Sequence, residues 1–163
     1  GQLAVSRVPP AVRVDLVEAA TGAAAQTRPV PGRPGAVYPR PGARFDATVR
    51  VRRRGDYVIF VGGAFRRRLA LSVDGRHVSS RRHRLSHEGH HEPLVQINLT
   101  PGSHRLEIRY RRAEPAPGSG GPAFPLGPLY VVQAANPRVE AVPPGRARQL
   151  CGRRLDWIES VTP

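Results

Sequence analysis

The stretch that decides the fold is Val95-Gln96-Ile97-Asn98-Leu99-Thr100-Pro101-Gly102-Ser103-His104-Arg105-Leu106-Glu107-Ile108. Apolar residues occupy every second position before Pro101-Gly102, and the alternation resumes at Leu106 after it. Such a period of two is typical of strands with one buried face, and a Pro-Gly pair typically forms a tight turn. The stretch therefore predicts two antiparallel strands, Leu94–Thr100 and His104–Arg111, joined by a short connection.

Strands of the same kind are predicted on both sides of this hairpin. Arg44–Arg52 alternates strictly, and Leu69–Val73 runs into Asp74-Gly75, a pair that favours a two-residue hairpin turn. Asp56–Val61 is almost entirely apolar, which indicates a more central strand. The remaining predicted strands are Ala11–Glu18, Gly127–Gln133 and Leu155–Val161.

Long segments without this period separate the strands. Five prolines in Arg28–Gly42 exclude a helix or a central strand there, and Ala113–Gly127 is a second loop of this kind. Arg76–Pro93 is predicted as a third, Arg- and His-rich loop. We therefore predict an all-β antiparallel sandwich, jelly-roll-like, with about eight strands and little helix. The predicted core residues are Val14, Leu16, Phe45, Val49, Tyr57, Ile59, Leu71, Val73, Val95, Ile97, Leu106, Ile108, Val131, Trp157 and Ile158.

Length and composition limit the possible classes. A chain of 163 residues fits one domain, and we expect residues 1–163 to form a single β-sandwich cut from a larger protein. The sequence has no apolar run of about 18 residues that would span a membrane. Cys151 is the sole cysteine, so no disulfide can form within the chain.

The charge is strongly positive. The 26 basic residues, all of them arginine, outnumber the 12 acidic ones and give a formal charge of +14. A GC-rich codon bias would explain why lysine is missing, but it does not explain the shortage of acids. The excess positive charge leaves attraction to a polyanion open, whether nucleic acid, anionic lipid or an acidic polymer.

Four segments in order resemble the galactose-binding-like β-sandwiches of carbohydrate-binding modules of the family 6 and family 35 type. Gly55–Val61 resembles their G-x-Y-x-x-x-V strand, and Leu69–Gly75 resembles their L-x-x-x-V-D-G hairpin. Val95–Ile108 resembles their V-x-L-x-x-G-x-H-x-L-x-I segment, and Leu155–Val161 resembles their final strand. The resemblance covers roughly residues 44–161.

The resemblance implies a non-catalytic module that binds a glycan, possibly an acidic one, as part of a larger bacterial protein in the cell envelope or outside the cell. No cofactor is implied. The alternative is a structural or protein-interaction domain that keeps the sandwich without a sugar site, and the low aromatic content of 6% favours this alternative. A polyanion or nucleic-acid binder is the third possibility, although aromatic residues do not alternate with the arginines as on single-strand binding surfaces.

No motif for catalysis is apparent. In His87-Glu88-Gly89-His90-His91 the i, i+4 histidines superficially match a zinc-protease helix, but Gly89 and Pro93 oppose a helix there. We therefore predict neither an enzyme nor a metal site. Chance binding of zinc, copper or nickel by these imidazoles remains open.

We place the candidate ligand site in the long loops. Aromatic surface, imidazole and guanidinium groups together suit stacking and hydrogen bonding to an acidic saccharide. The candidate residues are Tyr38, Arg40, His83, Arg84, His87, His90, His91 and Phe124. Histidines there would strengthen binding as the pH falls through about 6.5. The other candidate is a sheet face, whose outward positions carry guanidinium groups that suit anions, from Arg50, Arg52, Arg105, Arg109 and Arg111.

Overall fold

A computed structural model describes residues 3–6, 11–21, 27–65, 67–82, 91–112, 124–134 and 139–142. Every regular element in these residues is a strand, and every strand pairing is antiparallel, which confirms the predicted fold class. The strands are β1 (Leu3–Ser6), β2 (Ala11–Val14), β3 (Ala20–Thr21), β4 (Arg28–Pro29), β5 (Val37–Tyr38), β6 (Arg44–Val51), β7 (Gly55–Gly63), β8 (Leu69–Val73), β9 (Arg76–Arg81), β10 (His91–Leu99), β11 (Gly102–Tyr110), β12 (Leu126–Gln133) and β13 (Val139–Val142). No helix in this part of the chain is long and apolar enough to cross a bilayer.

Two larger sheets and one pair make up the described fold. The first sheet has six strands in the order β10-β7-β12-β5-β4, with β2 also pairing with β12. The second has five strands in the order β3-β6-β11-β8-β9, and β1 pairs with β13 separately. Pro29 lies in β4, the outermost strand of the six-stranded sheet, where a missing N–H breaks no interior ladder.

The core is one cluster of apolar side chains contributed by both larger sheets. Ile59 of β7 and Val131 of β12 are fully buried, and so are Leu106 and Ile108 of β11 to within 1%. The predicted core residues of β2, β6 and β8 are buried as well. The alternation of apolar and polar residues in the sequence therefore corresponds to an alternation of inward and outward side chains along the strands.

Two groups of core predictions had other outcomes. Val95 and Ile97 are only partly buried, because β10 is an edge strand of the six-stranded sheet. A register shift between Pro93 and Val95 lets Leu94 become buried at 2% exposure instead. Trp157 and Ile158, with the predicted strand Leu155–Val161, lie outside the described residues.

The prediction that Arg76–Pro93 is one long loop is wrong at both of its ends. Arg76–Arg81 forms β9, and His91–Pro93 opens β10. β9 is an edge strand in which only Val78 packs against the core, so its sequence shows no clear apolar period. The predicted strand Ala11–Glu18 is also too long, because the strand ends at Val14 and a turn follows at residues 16–19.

Chain direction gives the sandwich two different ends. The turns at residues 52–54, 74–75 and 100–101 meet at one end, which we call the turn end. The other end, which we call the loop end, carries residues 30–36 and 39–43 and the strand ends that border the longer connections, at Arg81, His91, Tyr110 and Leu126. The described candidates for the ligand site, Tyr38, Arg40, His91 and Phe124, therefore lie at the loop end.

Candidate functional site

The strand register fixes which candidates approach each other at the loop end. Cα partners run from His91 to Gly62 on β7, and from Gly63 to Leu126 on β12. Leu126 in turn pairs with Val37 on β5, next to Tyr38. With strands about 4.8 Å apart, His91 and Val37 are about 14 Å apart across three spacings. The loop-end margin of the six-stranded sheet thus carries the described candidates from β5 and β10.

Tyr38 is half-buried and already has a cation beside its ring. Its Cα partner is Arg28 on β4, whose guanidinium carbon lies 5.1 Å from the ring centroid. This is a cation–π contact, and it covers one face of the phenol. A sugar that stacks on Tyr38 would therefore use the other ring face or displace Arg28. Arg40 is exposed two residues further on, and Phe124 is half-buried two residues before β12 begins.

His91 is a strand residue, which corrects its assignment to a loop. It opens β10, is half-buried, and meets Tyr130 in an edge-to-face contact with ring centroids 5.1 Å apart. Its approach depends on Gly62, where a Cβ would lie 3.3 Å from His91 Nε2 and 2.9 Å from the carbonyl oxygen of Gly127. The glycine therefore leaves room for the imidazole on the outer face of the sheet.

Four candidates, His83, Arg84, His87 and His90, lie outside the described residues. Within the described ranges, no three histidine, cysteine or acidic side chains are grouped so that they could hold a metal ion.

A row of side chains on the outer face of the six-stranded sheet was missed by sequence reasoning. Successive Cα pairings join Arg13 on β2 to Tyr130 on β12, Tyr130 to Phe60 on β7, and Phe60 to Pro93 on β10. Their alternation with buried Val61 and Val131 places these residues outward. Phe60 and Tyr130 are half-buried, so the row offers aromatic and proline surface of the kind that sugar rings contact.

The outer face of the five-stranded sheet differs from the free cationic surface predicted for it. Asp46 and Glu107 lie opposite each other on β6 and β11, among the arginines. Arg44 Nε lies 2.9 Å from Asp46 Oδ2, and Arg44 Nη2 lies 2.6 Å from Glu107 Oε2. Arg105 Nη2 lies 2.9 Å from Asp46 Oδ1. Arg109 pairs with Glu107 as well. These carboxylates engage the guanidinium groups, so Arg105 and Arg109 are not unpaired anion ligands.

Burial and hydrogen bonding act in opposite directions on Asp46. Desolvation raises the pKa of this carboxyl, but hydrogen bonds from Arg44, Thr21 and Arg105 outweigh it and leave the pKa below its ordinary value. The carboxylate therefore stays charged and holds β3, β6 and β11 together.

A second polar link explains two of the motif residues quoted above. Asp74 begins the β8–β9 turn with φ of 52°, followed by Gly75 at 79°, the pattern of a type I′ turn. His104 of β11 is 8% exposed, and its Nδ1 lies 2.7 Å from Asp74 Oδ2 while its Nε2 lies 2.8 Å from the Thr100 carbonyl oxygen. The aspartate and histidine of these motifs therefore join two turns at the turn end and form part of the scaffold.

Comparison with known proteins gives matches in structure alone. No family model matches the sequence, and no curated protein matches it. A GH26-CBM35 β-(1,4)-mannanase from Podospora anserina matches with a TM-score of 0.56 and 14% identity, over 85% of this chain and 29% of that one. A ruminal GH26 endo-β-1,4-mannanase matches with a TM-score of 0.50 and 16% identity, over 82% of this chain and 27% of that one.

The match to a single solved module is more informative about the extent of the fold. The C-terminal CBM6 of LamC, a laminarinase from Zobellia galactanivorans, matches with a TM-score of 0.53 and 10% identity. The alignment covers 76% of this chain and the whole of that module, whereas the chain spans less than a third of either mannanase. The chain therefore has the β-sandwich fold of the carbohydrate-binding modules that it resembles in sequence pattern.

Proposed function

We propose that this chain is a non-catalytic carbohydrate-binding module of a larger extracytoplasmic protein. The observation that carries the proposal is the match over the whole length of a solved CBM6 module. The order of strand motifs in the sequence supports it independently. The glycosidase names among the matched structures apply to chains much longer than this one, so they support the larger-protein context only indirectly.

We place the ligand at the loop end, with Tyr38 and His91 on strand ends, Arg40 and Phe124 within two residues of strand ends, and His83, Arg84, His87 and His90 as the remaining site residues. The free face of Tyr38 would stack on a sugar ring, as aromatic side chains do with apolar ring surfaces. Arg40 is exposed and supplies a planar group that matches a carboxylate. An acidic saccharide would use both kinds of contact.

The row of outward side chains that includes Phe60 and Tyr130 supports this placement because it runs close to the loop end. Tyr130 touches His91, and Phe60 lies two residues before Gly62 on the same face of β7. A glycan chain lying over His91 would thus continue onto Tyr130 and Phe60, because all three side chains lie on the outer face of the same sheet. The site is then a strip of several sugar subsites.

A glycan array with neutral and acidic polysaccharides tests the function, followed by affinity measurements for the best ligand at pH 5.5 and pH 8. Tyr38→Ala and His87→Ala should each weaken binding about tenfold, the loss of a contact worth about 1.4 kcal/mol. Tyr38→Phe keeps the ring and should retain most of the affinity. His77→Ala removes an exposed histidine of β9 and serves as the matched control for His87→Ala.

Two results would contradict the proposal. If no glycan binds at high protein concentration, the domain is a structural or protein-interaction sandwich. If a glycan binds but both Tyr38→Ala and His87→Ala leave its affinity unchanged, the ligand lies elsewhere on the sandwich.

A further inference from the structure

Four arginines gather at the turn end, on the side of the molecule away from the candidate glycan site. We call Arg50, Arg52, Arg53 and Arg54 the basic turn cluster, and all four are exposed. Arg50 is on β6, and the others form the turn from β6 to β7. The turn at residues 100–101 runs beside them, since Val51 pairs with Gly102 and Gly55 pairs with Leu99.

In the part of the chain that the structure describes, these guanidinium groups differ from those of Arg44, Arg105 and Arg109 in having no carboxylate partner. Within the described residues, no carboxylate pairs with any member of the basic turn cluster, whereas Asp46 and Glu107 engage the arginines of the sheet face. The carboxylates nearest in the chain, Asp46 and Asp56, and that of Asp74 in the β8–β9 turn all have other partners. Asp56 accepts a hydrogen bond from Asn98, and Asp74 binds His104 and the Arg105 amide. Four like charges within five residues repel each other, so a bound anion would relieve that repulsion.

The backbone under the cluster is held in place. Tyr57 is buried at 6% exposure, and its hydroxyl donates a 2.8 Å hydrogen bond to the Arg53 carbonyl oxygen in the middle of the turn. An open depression of about 600 Å³ lies beside it, lined by Arg50, Val51, Arg52, Pro101 and Gly102. The cluster therefore combines a turn held by a hydrogen bond, a concave surface and guanidinium groups that no carboxylate of the described residues engages.

We propose that the basic turn cluster is a second binding site, for an acidic polysaccharide chain. Arginine forks match carboxylate and sulfate groups in bidentate geometry, and a repeating polyanion presents such groups in series. Among the described residues, none that lines the depression is aromatic, so the bases of a single-stranded nucleic acid would find no ring there on which to stack. The described lining residues also include no large exposed apolar side chain of the kind with which a surface-bound protein inserts into lipid. The site stands whether or not the loop end binds a sugar.

The test measures binding of the chain to polygalacturonate and to dextran sulfate, with neutral dextran as the uncharged probe, over a series of salt concentrations. Replacing Arg52, Arg53 and Arg54 together by glutamine should weaken binding to the acidic polymers about tenfold or more, because three exposed charge contacts are lost. The slope of log affinity against log salt should fall by up to about three. The corresponding triple lysine variant keeps the charge but not the fork, so its affinity should lie between the other two.

The matched control removes three exposed arginines at the other end of the sandwich, through Arg81→Gln, Arg111→Gln and Arg112→Gln in one variant. It should change affinity less than about threefold. Equal loss in both triple variants would overturn the proposal, because net charge alone would then explain binding. Absence of binding to both acidic polymers, or tighter binding to duplex DNA or to phosphatidylserine vesicles at equal salt, would overturn it as well. Tyr38→Ala and His87→Ala leave the basic turn cluster intact and test the loop end separately, so failure of one site is distinguishable from failure of the other.

Discussion

Replacing His104 by alanine should destabilise the protein, and by more in mild acid than in mild base. The two ring nitrogens face the Asp74 carboxylate and the Thr100 carbonyl oxygen, which both accept hydrogen bonds and donate none. Only the doubly protonated imidazolium can donate to both. The hydrogen bond to Thr100 and the one to Asp74 therefore raise the pKa of His104 above its ordinary value of 6.5.

The sign of the pH dependence follows from that direction. A raised folded-state pKa contributes stability that is complete below the unfolded value of about 6.5 and is lost as the pH rises through the folded value. In the imidazolium form two charge-assisted hydrogen bonds are made, worth together about 2 kcal/mol because water can reach the half-exposed Asp74. The neutral ring keeps one N–H donor and makes one of the two hydrogen bonds, which contributes about 1 kcal/mol to stability.

Urea unfolding of the wild type and of His104→Ala at pH 5.5 and pH 9 measures this difference. We expect His104→Ala to lose about 1 kcal/mol more at pH 5.5 than at pH 9, on top of a pH-independent packing loss. Asp74→Asn is the control: asparagine tolerates the positive φ of the turn, and without the negative charge the extra stability in acid should shrink to the part that the Thr100 carbonyl oxygen supports. Equal losses at the two pH values, or a larger loss at pH 9, would refute the reasoning.

Three further predictions test the scaffold. Asp46→Asn should lower the free energy of unfolding at pH 7 by about 1–2 kcal/mol. The difference from wild type should shrink as the pH falls through the lowered pKa of Asp46. Urea titrations from pH 7 to pH 2.5 would show no such convergence if the ion pairs contribute nothing. Ile59→Ala, at a fully buried position of β7, should cost about 2–5 kcal/mol, and a loss below about 1 kcal/mol in urea unfolding would contradict its placement in the core. Gly63→Ala should cost about 2 kcal/mol or more in the same assay, because φ is 87° and a Cβ would collide with the Pro125 carbonyl oxygen; an unchanged midpoint would contradict that geometry.

The strands that the sequence predicted well share one physical property, which is water on one side and core on the other. β6 and β11 alternate so regularly because Phe45 and Ile108 face the core while Arg44 and Arg109 face solvent. β9 gave no such signal, since it is an edge strand with polar residues on both faces and only Val78 against the core. The register shift at Pro93 and Val95 likewise cannot be read from a period of two, so Leu94 was missed.

The candidate site was harder to predict for the opposite reason. Phe60 and Tyr130 lie in runs that are apolar at both parities, so sequence alone cannot tell which residues face outward. The carboxylate partners of Arg105 and Arg109 come from across strands, and their pairing with Asp46 and Glu107 needs the register of β6 against β11. The proline-rich loops do mark the loop end, but contacts such as Arg28 with Tyr38 depend on the pairing of β4 with β5.

Glycan binding at the loop end is tested most directly by an amide chemical-shift titration with the best oligosaccharide from the array, in the variant with glutamine in place of Arg52, Arg53 and Arg54. We expect the largest shifts at the loop-end strand positions, residues 36–38, 62–63, 91–92 and 124–127, with further shifts around Tyr130. The amides of residues 52–54 and 100–102 should stay unchanged in that variant. Saturable shifts confined to the turn end or to the five-stranded sheet would contradict binding at the loop end.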